Sequence, residues 1–357
     1  MEFSKRDTIV IKGVAICLML WHHLFTFPDR LVGVTYISLP FINGESLALA
    51  IGQFGKICVA MFTLLSGYGT YLSARKAERD SLIRQHLLRM YKFFWKVFFI
   101  AVPVSWLIGN IRPDPFLEDF IYGAFGLRFS YCNEWWFIAP LTVLLICSPF
   151  IHRFIDRVHS SLISDIVWIT LLNGFIYYLL PQITKNVVLA KLDSSYFWQQ
   201  LYVALTLLPS YATGCSLAKH GVFSKVKSVC ATKPLRNIVV LVVTFGLFLI
   251  HPFNWLLYDF INAPIFICCL IVLFESKLGR LVSRVFEALG NESTFMWLTH
   301  CLFCYYWCQK LVFAPRYSPL IFLWLLALSF ASAKLLGLFW GLVDKAYKRL
   351  FFTAEKA

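Results

Sequence analysis

"IKGVAICLMLWHHLF", residues 11–25, decides how this chain is read. Every residue in it except Lys12, His22 and His23 is apolar or glycine. A helix apolar all round belongs in lipid or in a protein interior. A charged side chain at the centre of such a helix costs at least ~2.5–3.5 kcal/mol on insertion scales, so polar groups there normally face a cavity or a partner. Lys12 is about one turn inside, where its long stem also permits snorkelling to the surface.

The rest of the composition agrees with a lipid environment. The 357 residues are 59% hydrophobic and 15% charged, against about 25% charged in soluble domains. Aromatic residues make up 18%, which suits lipid-facing helices with belts at the interfaces. The formal net charge of +14 forms no single stripe, so nucleic acid is not the expected partner; membrane lipid is. The eleven cysteines are scattered through apolar segments and do not read as a disulfide framework. His300, Cys301, Cys304 and Cys308 superficially resemble metal ligands, but one helix does not easily surround a tetrahedral ion, and no metal is expected. Lys5 and Arg6 precede the first apolar run as in a signal peptide. No small-residue cleavage site follows, so this run reads as a retained first helix.

Apolar stretches of about 20 residues cross a bilayer, and on that basis the chain predicts an all-α polytopic membrane protein with about ten transmembrane helices. They fall near 8–27, 47–73, 88–109, 134–151, 162–180, 197–219, 236–251, 256–274, 291–313 and 318–341. Ten spans place 22 of the lysines and arginines on the side of the N-terminus and 7 on the other, with 4 inside spans. Positive residues stay in the cytoplasm, which predicts both termini cytoplasmic, in a cell membrane of bacterial inner or plasma type. No polar stretch is long enough for a second domain, so 1–357 reads as one membrane domain. Asn291-Glu292-Ser293 is a glycosylation sequon by pattern, but after Gly290 it reads as the N-cap of the ninth span.

Helix geometry relates the polar residues of the opening stretch. Lys12 and His23 are 11 residues apart, close to three turns, which puts them on one face about 16 Å apart. His22 points about 100° away from that face. A cation at one end and an imidazole three turns deeper suit a long, thin, phosphorylated donor such as coenzyme A. In "LLSGYGTYLSARK" (64–76), Ser66, Gly67 and Gly69 allow close approach of a ligand or of another helix. Arg75 and Arg89 stand where topology alone places arginines, and where phosphates would also bind. His300 lies deep in the ninth span, as a hydrogen-bonded interhelical residue or as a functional one. Trp135 and Trp136 in "NEWWFIAP" read as an outer aromatic belt. Glu134 beside them is either interfacial or orients an acceptor hydroxyl or a catalytic imidazole.

Six fragments, in order, carry a family resemblance. "KGVAICLMLWHH" is a basic residue followed by a histidine eleven positions on. "FTLLSGYGTYL", "LLRMYKFFW", "EWWFIAPL", "YATGCSLAK" and "LGNESTFMWLTH" follow it. Together they resemble the acyltransferase 3 family, ten-helix membrane acyltransferases that modify cell-surface sugars. The resemblance implies an acyl-CoA-dependent O-acyltransferase. Its donor would be acetyl-CoA held at the cytoplasmic basic mouth, and its acceptor a hydroxyl of a cell-surface glycan or glycolipid. His23 would be the general base or a transient acyl carrier, with Glu134 and His300 as accessory catalytic residues. Lys12, Ser66, Gly67, Arg75 and Arg89 would bind the cofactor. Lys12 stands where the family usually has arginine, replacing a bidentate grip on phosphate by a point charge. Some relatives carry an appended extracellular domain, for which this chain has no room. The alternative is a transporter or flippase for a polysaccharide precursor, which also needs polar groups at the membrane midplane.

Overall fold

The computed structural model describes residues 2–75, 79–109, 116–158, 161–185, 196–229, 235–254 and 258–352. Lys76, Arg112, Lys191, Lys233 and Lys356, counted above among the loop cations, lie outside the described residues. The chain's regular elements, among the described residues, are helices. It runs α1 (Lys5–Phe25), α2 (Leu47–Gly55), α3 (Ile57–Ala74), α4 (Arg79–Leu107) and α5 (Phe116–Ala124). Then come α6 (Ile138–Val158), α7 (Leu162–Gly174), α8 (Leu180–Lys185), α9 (Tyr196–Lys219) and α10 (Val222–Val229). The remainder is α11 (Leu235–Asn254), α12 (Asp259–Phe274), α13 (Lys277–Cys301), α14 (Gln309–Phe313) and α15 (Ser318–Phe352). Among the described residues the only β pairing is two isolated bridges.

The expected count of ten spans is corrected by the helices themselves. Six among the described residues are long and apolar enough to cross a membrane. They are Lys5–Phe25, Leu47–Ala74, Asn133–Arg157, Leu162–Gln182, Trp198–Lys219 and Ser318–Arg349. The expected segments 236–251 and 256–274 correspond to the shorter apolar helices Arg236–Ile250 and Asp259–Phe274. The expected span 88–109 lies on α4, where Arg89, Lys92 and Lys96 interrupt the apolar run. The expected span 291–313 is no separate element. Its first part belongs to α13, which starts at Lys277 and carries Arg280, Arg284, Glu287 and Glu292 before passing into a π-helical turn at Leu302–Trp307. The chain is a polytopic all-α membrane protein, with six such helices among the described residues.

α1 forms because its first turn is closed from both sides. The Ser4 hydroxyl accepts from the Asp7 backbone N–H, and the Asp7 carboxylate accepts from the Ser4 backbone N–H, a capping box that satisfies two otherwise orphaned donors. Beyond that turn the helix is buried on nearly all sides, with Ile11, Ala15, Ile16, Leu20 and Leu24 at most 1% exposed. At the other extreme, α15 and the helix through α7 turn most of their surface outward. Leu335, Leu338 and Leu342 on α15 and Leu171 on α7 are among the exposed side chains, as lipid-facing helices require.

Two helix crossings fix the interior. A Cβ on Gly13 of α1 would lie 1.9 Å from the Phe286 carbonyl oxygen of α13, and one on Gly290 of α13 would lie 1.9 Å from the Ile9 carbonyl oxygen of α1. α3 and α9 cross in the same way: Gly67 sits against the Tyr211 carbonyl, and Gly214 against that of Leu64. Hydrophobic collapse cannot drive helices together in lipid, so close backbone packing at small residues takes its place. Gly290 therefore lies inside α13, and the helix start expected at Asn291 is corrected to Ser276, whose hydroxyl accepts from the Gly279 N–H.

Candidate active site

α1 carries the centre of the site. Lys12, Met19 and His23 are spaced by seven and four residues, which keeps them on one helix face. Lys12 and Met19 line a cavity of about 300 Å³ walled by α1, α3, α4, α6 and α13. Met19 and His23 line a second, of about 250 Å³, towards the Phe25 end of α1. Met19, Phe62, Phe137 and Trp297 belong to both walls, so the two cavities adjoin. Phe137 and Trp297 meet edge to face there, with centroids 5.7 Å apart. Each volume reaches or approaches the range of small-ligand pockets.

The first cavity gathers cations. Arg89 and His86, one turn apart on α4, line it with Lys12, and the Ser66 and Thr70 side chains line it from α3. Of the cofactor residues predicted from sequence, the structure brings Lys12, Ser66 and Arg89 together. It places Gly69, rather than Gly67, on the cavity wall; Gly67 faces the backbone of α9. Arg75 lines neither cavity; its guanidinium lies 5.2 Å from the centroid of the Tyr71 ring. His86 escaped the sequence reading because a single histidine among the basic residues of α4 carries no spacing signal.

Two of the three predicted catalytic residues, His23 and Glu134, line the second cavity, and the third, His300, packs against His23. The His300 ring stands edge-on to that of His23, with centroids 5.0 Å apart. His300 is fully buried. Its Nδ1 is 2.8 Å from the Trp297 carbonyl and 3.1 Å from that of Met296. Carbonyls only accept, so Nδ1 carries the hydrogen and Nε2 the lone pair. The Cys301 thiol lies 3.1 Å from that Nε2. His23 Nδ1 is buried and has no hydrogen-bond partner among the described residues. The Tyr305 hydroxyl donates to the His23 carbonyl and ties the π-helical turn after α13 to the end of α1. His22 also lines this cavity, with its ring edge-on to that of His23 and centroids 5.3 Å apart, but its Nδ1 is engaged, donating to the Gly52 carbonyl of α2 at 2.7 Å.

Glu134 lines the same cavity, from a 3-10 turn (Asn133–Phe137) that leads into α6. Arg30 reaches its Oε1 at 2.5 Å, and the Tyr306 hydroxyl donates to its Oε2 at 3.0 Å. The Arg30 guanidinium also lies over the Phe27 ring, 4.5 Å from its centroid. Burial opposes the Arg30 charge, but the Glu134 carboxylate outweighs it and raises the guanidinium pKa. Trp136 is a cavity residue, whereas Trp135 is buried and donates its Nε1–H to the Leu298 carbonyl at 2.8 Å. The aromatic belt expected of this pair is thus corrected to one wall residue and one core residue. Lys56, between α2 and α3, is a further cation on the wall; a lysine inside an apolar segment was the signal for it.

His23, His300 and Cys301 offer three ligand atoms within 4.8 Å of one another, the one group among the described residues able to hold a metal ion. The profile of the acyltransferase 3 family, described as an acyltransferase domain, matches residues 8–338. The chain belongs to this family. The matched region contains both cavities and every residue named as lining them. Membership in the acyltransferase family calls for an acyl donor and an acceptor as substrates. No curated protein and no solved structure matches the chain.

Proposed function

We propose that this acyltransferase moves an acetyl group from acetyl-CoA to a hydroxyl of a cell-surface glycan or lipid-linked sugar, with His23 as general base. The observation that carries this reading is the pair of adjoining cavities strung along one face of α1, cationic at Lys12 and histidine-lined at His23. Lys12 and Arg89 would hold the donor's phosphates, with Ser66 beside them, and the pantetheine arm would pass Met19, Phe62 and Phe137. Arg75 would attract the polyanion from outside the cavity, and Gly67 would serve by letting α9 seat α3. At the far end, Trp136 and Trp297 provide flat faces for a sugar ring, and Glu134 and Asn133 provide polar partners.

In the reaction His23 accepts the proton of the acceptor hydroxyl as its oxygen attacks the thioester carbonyl. The tetrahedral intermediate collapses, the C–S bond breaks, and the proton on His23 passes to the departing CoA thiolate. A positioned base of this kind contributes roughly 10²–10⁴-fold. His300, with Nδ1 held by carbonyls, fixes the ring beside His23, and Glu134 orients the acceptor. The test is incubation of purified protein with acetyl-labelled acetyl-CoA and membrane glycolipid. Label transfer by the wild type and its loss in His23→Ala is the expected result; transfer that survives His23→Ala rules out the base.

A further inference from the structure

Three ligand atoms from two helices converge beside the second cavity. His300 and Cys301, neighbours on one helix, do not by themselves surround an ion. His23 arrives from α1 and supplies a third corner, with all three atoms within 4.8 Å of one another. Imidazole nitrogen and thiolate sulfur are the donors that zinc prefers, and three protein ligands with one open position form a recurrent zinc arrangement. His300 is already presented as a ligand would be. Its Nδ1–H is held by the Trp297 and Met296 carbonyls, the outer-shell support that fixes the tautomer of metal-bound histidines. Cys301 and His300 are wholly buried, and His23 Nδ1 is buried without a hydrogen-bond partner among the described residues. Buried polar atoms without partners are rare enough to ask for an explanation.

We propose that His23, His300 and Cys301 form a zinc-binding site whose occupation stops acyl transfer. The inhibitory half rests on the reading of His23 as the base; the binding half does not. On binding, the Cys301 thiol releases its proton to water, and the sulfur and two imidazole nitrogens each direct a lone pair to the ion. Water fills the fourth position. With the His23 lone pair engaged, the ring no longer accepts the acceptor's proton. Arg30 and Lys56 line the same cavity, and their like charge weakens cation binding, so the site suits reversible occupancy rather than a permanent structural ion.

Cobalt(II) is the optical probe, added to the purified full chain. One cobalt per chain is expected, with a thiolate-to-cobalt charge-transfer band and the visible bands of four-coordinate cobalt, both bleached by excess zinc. Cys301→Ala removes the charge-transfer band, and His300→Ala weakens cobalt affinity ~10-fold or more. No band in the wild type, or an undiminished band in Cys301→Ala, overturns the site. If Cys301→Ala does not fold, Cys301→Ser carries the same expectation. In the transfer assay zinc inhibits the wild type and is ~10-fold or more less potent against Cys301→Ala. Binding without inhibition, or stimulation by zinc, overturns the inhibitory half. Absence of transfer by metal-free protein overturns the functional reading, and the cobalt spectra still decide the site.

Discussion

Lys12 and His23 stand on one face of α1 and open into two different cavities that adjoin at Met19, a residue of that same face. His22 and His23 both line the second cavity, and hydrogen bonding distinguishes them: His22 Nδ1 is held by the Gly52 carbonyl, while His23 Nδ1 has no partner among the described residues. His23→Ala is expected to lower kcat by roughly 10²–10⁴-fold with little change in KM for acetyl-CoA. His22→Ala strands the Gly52 carbonyl that accepts its hydrogen, a loss of about 1–3 kcal/mol in stability. Kinetics with both variants, beside thermal unfolding in detergent, check the split. A kcat loss confined to His22→Ala assigns the base to the wrong ring.

Lys12 contributes a point charge rather than a fork. Lys12→Ala is expected to raise KM for acetyl-CoA by ~10- to 100-fold, the equivalent of about 1.5–3 kcal/mol for hydrogen bonding to a charged group. Lys12→Arg retains the charge and adds bidentate reach, so KM stays near the wild-type value. Titration of acetyl-CoA against each variant reads the effect; unchanged KM in Lys12→Ala confines the lysine to a topological role.

Arg30 and Glu134 form an unequal pair: the Glu134 side chain is 4% exposed and that of Arg30 34%. Removing the cation leaves a buried carboxylate with, among the described residues, the Tyr306 hydroxyl and the Cys132 thiol as donors. Breaking a buried pair costs about 3–5 kcal/mol, and the exposure of Arg30 sets the expectation for Arg30→Ala at the lower end. Glu134→Gln keeps an acceptor for Tyr306 and costs less, about 1–2 kcal/mol. Melting temperatures in detergent rank the two. Equal losses count against the pair being held by the burial of Glu134.

The all-α class and the central face of α1 were legible because both rest on local periodicity. Apolar runs mark helices, and an eleven-residue interval marks one face, whatever surrounds them. The number of spans was not legible in the same way. A ten-span count treats each apolar run as an independent element, yet α13 carries the 291–301 segment on a charged amphipathic helix that begins at Lys277. Arg30 and Tyr305 could not be found by spacing either, since a 3-10 turn and a π-helical turn bring them to the site around His23. Gly67 and Gly69 differ by two residues in one motif. Only the position of α9 decides that the first packs and the second lines a cavity.

The crossing of α1 and α13 sets the distance between His23 and His300, so it is also open to mutation at a distance from both. A Cβ on Gly290 meets the Ile9 carbonyl at 1.9 Å and the Gly13 nitrogen at 3.0 Å, backbone atoms that no rotamer change moves. Gly290→Ala forces the helices apart; overpacking of this kind costs about 1–3 kcal/mol, and Gly290→Leu more. The separation is transmitted along α13 to His300, two and a half to three turns away. Gly290→Ala is therefore expected to lower both the melting temperature and kcat, whereas Gly337→Ala, on the outer helix α15 with open space around its Cβ position, lowers neither. Parallel measurement of the two variants gives the answer. A Gly290→Ala protein with wild-type melting temperature and activity shows that the crossing yields without cost, and the close packing of α1 on α13 then has no part in placing the histidines.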